Sequence, residues 1–146
     1  MNGNIKKTLT LSLKTKWFEM TKSGIKTEDY RELTPYWVRR LLNLNHFDIE
    51  MAINSFELGL IAKEKRNDIN YFGRELIYKM NQHPTFYLFY RKFNTNTMTL
   101  GYPKSGDKEI TLILEHKGIE IRTGNPEWGA EEGKLYFVIK HGKIIE

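Results

Sequence analysis

Residues 7 to 13, KTLTLSL, alternate polar and apolar positions and set Leu9, Leu11 and Leu13 on one face, the pattern of a half-buried strand. In the next stretch, KTKWFEMTKSG, Leu13, Trp17 and Met20 recur at helical spacing. Thr15 stands as the N-cap and Gly24 where a left-handed residue ends a helix. The segment IKTEDYREL is too polar for a central strand, yet its Ile25, Tyr30 and Leu33 need apolar contact, so it reads as a strand at or near a sheet edge. TPYWVRRLLNL then predicts a helix with Thr34 as N-cap and Pro35 at the first helical position, where a missing N–H costs nothing. Trp37, Leu41 and Leu44 form its buried stripe, widened by Val38 and Leu42.

Ile49, Ile53, Phe56 and Leu60 mark an amphipathic helix over residues 48–66. Asp68 caps a further one bearing Ile69, Phe72, Leu76 and Met80, which ends before Pro84. From residue 85 the character changes. TFYLFYRKF, TMTLGY, EITLILE, GIEIR and KLYFVIKHGKII are rich in β-branched and aromatic residues and are separated by Asn, Gly and Pro turns, which predicts antiparallel strands. Strand, helix, strand, helices and a strand meander describe a single α+β domain over residues 1–146, its sheet curled into a β-barrel with flanking helices. The block at about 45–83 reads as a helical insertion packed on that barrel.

The chain has no cysteine, which excludes a disulfide framework, a thiolate metal site and a cysteine nucleophile. His46, His83, His116 and His141 lack metal-ligand spacing, so neither a metal nor a cofactor is expected, and the histidines suggest no catalytic arrangement. The N-terminal residues lack the apolar run of a signal peptide, and no window is long and apolar enough to span a membrane. A soluble cytoplasmic chain is the expectation. The 23 Lys and Arg against 18 Asp and Glu give +5, which suits a polyanionic partner such as RNA.

The candidate chemistry gathers in residues 23–37. A strand starting near Thr27 puts Thr27, Asp29 and Arg31 on one face and Glu28, Tyr30 and Glu32 on the other, with Lys26 in the turn before it. Lys26, Asp29 and Arg31 can hold a phosphate or a base edge, with Arg31 as a fork, or run acid–base chemistry if burial brings Lys26 toward neutrality. Alternatively, Asp29 and Arg31 form surface ion pairs on a solvated edge. Tyr36 and Arg40 extend this group as stacking and phosphate contacts, and Trp37 is either core or platform. In GNPEWGAEEG, residues 124–133, Trp128 either walls a base pocket or packs under a turn; the stretch is not a phosphate-binding Walker loop.

SGIKTEDYRE resembles the G-x-K-x-x-E-x-R signature of the ASCH domain family, with Gly24, Lys26 and Arg31 matching and Asp29 in the acidic place. The resemblance continues through YRELTPYWVRRL, TMTLGY, IEIRTGNPEWGA and YFVIKHGKII, and is to the small ASCH-like proteins of bacteriophages and prophages. It implies a PUA-like barrel with a basic cleft at one end that binds RNA or a nucleotide-like ligand. It also carries an alternative: some small members are amidohydrolases acting on acylated cytidine, and a ribonuclease activity is attributed to the family. In the hydrolases a lysine and a threonine of the signature act with a glutamate placed before the last strand. Lys26 matches that lysine, Asp29 holds the threonine's position, and Glu131 or Glu132 stands for the glutamate. A carboxylate cannot act as a hydroxyl nucleophile does, though it can serve as a base. A further alternative is an accessory protein acting through protein contacts made by residues 48–81.

Overall fold

The computed structural model describes residues 7–43, 69–81, 90–101 and 111–145. The elements are β1 (Thr8–Leu13), α1 (Thr15–Lys22), β2 (Glu28–Arg31), α2 (Pro35–Leu41), α3 (Ile69–Asn81), β3 (Thr95–Leu100), β4 (Thr111–Thr123), a 3-10 turn (Pro126–Trp128) and β5 (Leu135–Ile144). The protein is α+β. Its five strands form one mixed sheet in the order β1-β3-β4-β5-β2. β1 runs parallel to β3, in register from Thr8 opposite Thr95 to Leu13 opposite Leu100, and β3 runs antiparallel to β4. β2 lies at the sheet edge, as its polar sequence predicts.

The chain divides into two compact units. The first comprises residues 1–29, 92–118 and 139–146, the second residues 30–91 and 119–138. The core of the first unit takes Leu9, Leu11 and Leu13 from β1, with Phe18, Met98, Leu112, Leu114 and Ile139. Packing of α1 on β1 and β3 turns Phe18 and Thr21 inward, while Trp17 and Met20 are only half-buried. The inward stripe is therefore rotated by one residue from the one the spacing predicts, and Lys14 rather than Thr15 occupies the N-cap. Gly24 ends the helix at φ 84°, as expected of a residue without a Cβ.

The second unit buries Leu33, Val38, Leu41, Leu42, Leu76, Met80, Phe137 and Val138. Here α2 begins as its sequence dictates: the Thr34 side chain accepts from the Trp37 amide and Pro35 fills the first turn. Trp37 is half-buried, and the fully buried residues of α2 are Val38 and Leu41. α3 is the expected second helix of the 45–83 block; the expected helix at 48–66 lies outside the described residues. Of the expected strand at 85–93, residues 90–93 form only a single bridge, between Leu42 and Tyr90. TLILE, the described part of EITLILE, and GIEIR lie in one 13-residue strand rather than two, because Gly118 keeps the ladder continuous at φ 116° where the sequence suggests a turn. Among the described residues no helix is long and apolar enough to cross a membrane.

Candidate functional site

In the first unit the predicted residues Lys26 and Asp29 lie inside a buried polar chain. It begins at the end of α1, where the Gly24 amide bonds to Thr21 O at 3.1 Å and the amides of Ile25 and Lys26 both bond to Met20 O, at 3.1 and 3.0 Å. That tight turn exposes Ile25, for which the sequence predicts an apolar contact, and sends Lys26 inward; Lys26 and Asp29 are each only 3% exposed. The His141 amide donates to Thr27 O at 2.9 Å and fixes the turn against β5. The Lys26 ammonium donates to Asp29 Oδ1, and His141 Nε2 lies 2.7 Å from Asp29 Oδ2.

The chain continues through Asn96 and fixes its own proton positions. Asn96 Nδ2 lies 2.8 Å from His141 Nδ1 and 3.3 Å from Lys140 O, and Asn96 Oδ1 lies 2.7 Å from His116 Nδ1. A carbonyl only accepts, so Lys140 O holds the amide nitrogen of Asn96 toward β5. His141 Nδ1 then accepts from Asn96, and its Nε2–H donates to Asp29. At the far end His116 donates from Nδ1 to Asn96 Oδ1, which leaves the lone pair on Nε2. Among the described residues no buried side-chain nitrogen or oxygen lacks a partner.

These contacts set the ionisation of the group. Burial by itself raises the Asp29 carboxyl, but the hydrogen bond from His141 and the charge of Lys26 more than offset it and hold the pKa at about 2. Asp29 is thus a carboxylate through the whole neutral range, facing inward rather than forming a surface pair with Arg31. His116 is lowered to about 4, mainly by burial, with the nearby charge of Lys140 adding to it. His116 is therefore a neutral imidazole at pH 7.

The histidines and Asn96, to which sequence reasoning gave no role, complete this chain. A signal for them exists: each sits two positions from a buried apolar residue of its own strand, Asn96 before Met98, His116 after Leu114 and His141 after Ile139. Alternation puts such residues on the inward face, where a polar group must find partners.

In the second unit Arg31, Tyr36 and Arg40 come together with Trp37. The Arg31 guanidinium lies 5.3 Å from the Trp37 ring centre and the Arg40 guanidinium 5.0 Å from it, with Arg40 also 5.9 Å from Tyr36. Tyr36 meets Trp37 edge-on at 5.1 Å and is 59% exposed. The spacing is helical: Tyr36 and Arg40 are one turn apart on α2, and Arg40 Nη1 reaches the Tyr36 hydroxyl at 3.4 Å. Arg91 adds another guanidinium, its amide bonded to Leu41 O at 2.8 Å and its Nη2 to Arg39 O at 3.3 Å. Guanidiniums lying over indole and phenol rings beside an exposed helix face are suited to bases and phosphates.

The loop from 124 to 134, also in the second unit, carries the other predicted residues. Trp128 closes the 3-10 turn and is half-buried, and Asn125 caps that turn by accepting from the Glu127 amide. Glu131 and Glu132 are both exposed. The Glu131 amide donates to the Tyr136 hydroxyl at 2.9 Å, while its carboxylate lies 3.9 Å from Lys134. No grouping of acidic and histidine side chains that could hold a metal occurs among the described residues. Compared with known proteins, the chain matches no family model, no curated protein and no solved structure.

Proposed function

We propose that this protein is an RNA- or nucleotide-binding domain of the ASCH type, with a PUA-like curled barrel, and that single-stranded RNA contacts the α2 face of the second unit. The observation that carries the reading is the pair of guanidiniums, Arg31 and Arg40, lying over Trp37 beside the exposed ring of Tyr36. Arg39 on the same helix, and Arg91, which bonds to carbonyls of that helix, add positive charge beside it, and the chain's +5 favours a polyanion. Lys26 and Asp29, in the first unit, hold the turn before β2. Tyr36→Ala tests the assignment, because the ring is exposed and its loss leaves the helix core intact. The variant should bind single-stranded RNA more weakly by ~1–3 kcal/mol, the value of one base–aromatic stack, with an unchanged melting temperature. Equal affinity in wild type and variant refutes it.

The hydrolase reading draws on the buried Lys26–Asp29–His141 group, which has the make-up of a charge-relay site. Asp29 stabilises the ammonium form of Lys26, a state that suits charge stabilisation rather than proton abstraction. Lys26→Ala separates the readings. A hydrolase loses turnover on an acylated cytidine by orders of magnitude, whereas a binder has no turnover to lose.

A further inference from the structure

The buried polar chain of the first unit has two unlike ends. At one, Lys26 and Asp29 are closed off from solvent. At the other, His116 is half-buried and its Nδ1 is bonded to Asn96 Oδ1 at 2.7 Å. Its Nε2 has no partner among the described residues, although no buried side-chain nitrogen there lacks one. Nε2 therefore opens to the surface and turns its lone pair outward. We propose that His116 Nε2 is a covalent phosphoryl-acceptor site, taking the group from a small anionic donor of the acyl phosphate class.

The chain fixes which nitrogen can react. His141 donates from Nε2 to Asp29, Asn96 donates to His141 Nδ1, and His116 donates from Nδ1 to Asn96 Oδ1. Every proton points toward the carboxylate, and the bond made by one nitrogen of an imidazole sets the state of the other. The His116 ring also meets Phe93, centre to centre at 5.4 Å and inclined by 65°, which restrains its rotation. His141 cannot serve in its place, because both of its nitrogens are bonded. The charged groups near His116 are Lys140 and His141 on β5 and, on its own strand, Glu115 and Lys117, which pair at 3.8 Å. The chain entering β3 brings only the uncharged Phe93, Asn94 and Asn96. Burial, with Lys140 adding to it, keeps the imidazole neutral at pH 7, so its lone pair is present in the whole population.

Charge selects the donor. The first unit carries 12 Lys against 7 Asp and Glu, an excess that attracts a phosphorylated anion. In the transfer step the Nε2 lone pair attacks phosphorus, the P–O bond to the acyl group breaks, and its electron pair leaves on the carboxylate product. Nδ1 keeps its proton, still bonded to Asn96, so no proton has to move. The positive charge left on the ring is held by a chain of hydrogen bonds that ends in the Asp29 carboxylate.

The test incubates the whole chain with acetyl phosphate, reads phosphohistidine by ³¹P NMR and maps the site by mass spectrometry. The expected result is one phosphoryl group on Nε2 of His116, absent from His116→Gln. Between about pH 7.5 and about 5 the labelling rate should change less than about twofold, because His116 is held at about 4. N-acetylhistidine measured beside it should slow roughly thirtyfold, as an imidazole of pKa ~6.5 requires. Asp29→Asn reverses the order of protons along the chain and puts the His116 proton on Nε2. In that variant, folded by its NMR spectrum, labelling should fall at least tenfold. No label on His116, a label on another histidine instead, a pH profile like that of N-acetylhistidine, or equal labelling in folded Asp29→Asn overturns the proposal. The pH profile needs no variant, so it decides the matter even if Asp29→Asn does not fold. None of these outcomes bears on RNA binding by α2.

Discussion

Asp29→Asn is the substitution with the most determined outcome. The amide is nearly isosteric with the carboxylate but replaces one acceptor oxygen by a donor. That donor cannot face Lys26, an ammonium with three donors of its own, so it faces His141 Nε2–H. To accept from it, His141 must move its proton to Nδ1, where the Asn96 amide already donates. Asn96 must then turn over, losing Lys140 O and presenting its nitrogen to His116 Nδ1, and His116 must carry its proton on Nε2 instead. One atom exchanged at residue 29 therefore reverses the tautomer of His116. The energetic cost has two bounds. Lowering the carboxyl from 3.8 to about 2 is equivalent to roughly 2 kcal/mol, at ~1.4 kcal/mol per tenfold change in proton affinity. Breaking a buried pair and leaving its partner charged costs ~3–5 kcal/mol. A loss of about 2–5 kcal/mol is a large share of the ~5–15 kcal/mol that stabilises a typical domain. Urea unfolding gives the free energy, and a long-range ¹H–¹⁵N spectrum gives the tautomers. In the wild type His116 should show a protonated Nδ1, and in Asp29→Asn a protonated Nε2. A stability change under ~0.5 kcal/mol, with His116 unchanged, refutes the proton assignment and the importance of the pair together.

Acid should destabilise the protein in two steps. Between about pH 6.5 and 4 the unfolded chain protonates His116 and the folded one does not, so stability falls as pH falls through that window. His116→Gln should remove this step. Between about 3.8 and 2 Asp29 protonates in the unfolded state first, and roughly 2 kcal/mol is lost, a step absent from Asp29→Asn. At Gly124 an added Cβ would lie 2.6 Å from Tyr30 Cε1 and 2.8 Å from Ala130 Cβ. Gly124→Ala should cost ~1–3 kcal/mol by thermal unfolding, as overpacking of a core does, and should weaken the 2.8 Å bond from the Asn125 amide to the Tyr30 hydroxyl. A neutral Gly124→Ala would mean that the ring of Tyr30 is not held there.

The fold was legible where a single physical signal decided the outcome. Alternation in KTLTLSL placed Leu9, Leu11 and Leu13, Thr-Pro opened α2, and a polar composition put β2 at the sheet edge. The inward stripe of α1 was missed by one residue, because Trp17 and Phe18 are equally apolar and only packing on β1 and β3 chooses between them. At Gly118 a glycine read as a turn sits inside one long strand, since the same freedom at positive φ serves both. Lys26 and Asp29 were found from residue type and spacing, but not their depth. The turn that sends Lys26 inward depends on backbone bonds to Met20, and the partners His141, Asn96 and His116 lie 67 to 115 residues from Asp29 and Lys26 in sequence. Local pattern cannot join residues so distant, although their inward positions on alternating strands mark them as needing partners.

The salt dependence of RNA binding tests the account most directly. The affinity of wild type for single-stranded RNA should fall steadily as salt rises. Arg39→Ala/Arg40→Ala should give a slope shallower by about 1.4, from ~0.7 for each phosphate that the double variant no longer neutralises. Absence of RNA binding at low salt, or the same slope in wild type and double variant, would contradict an RNA surface on α2.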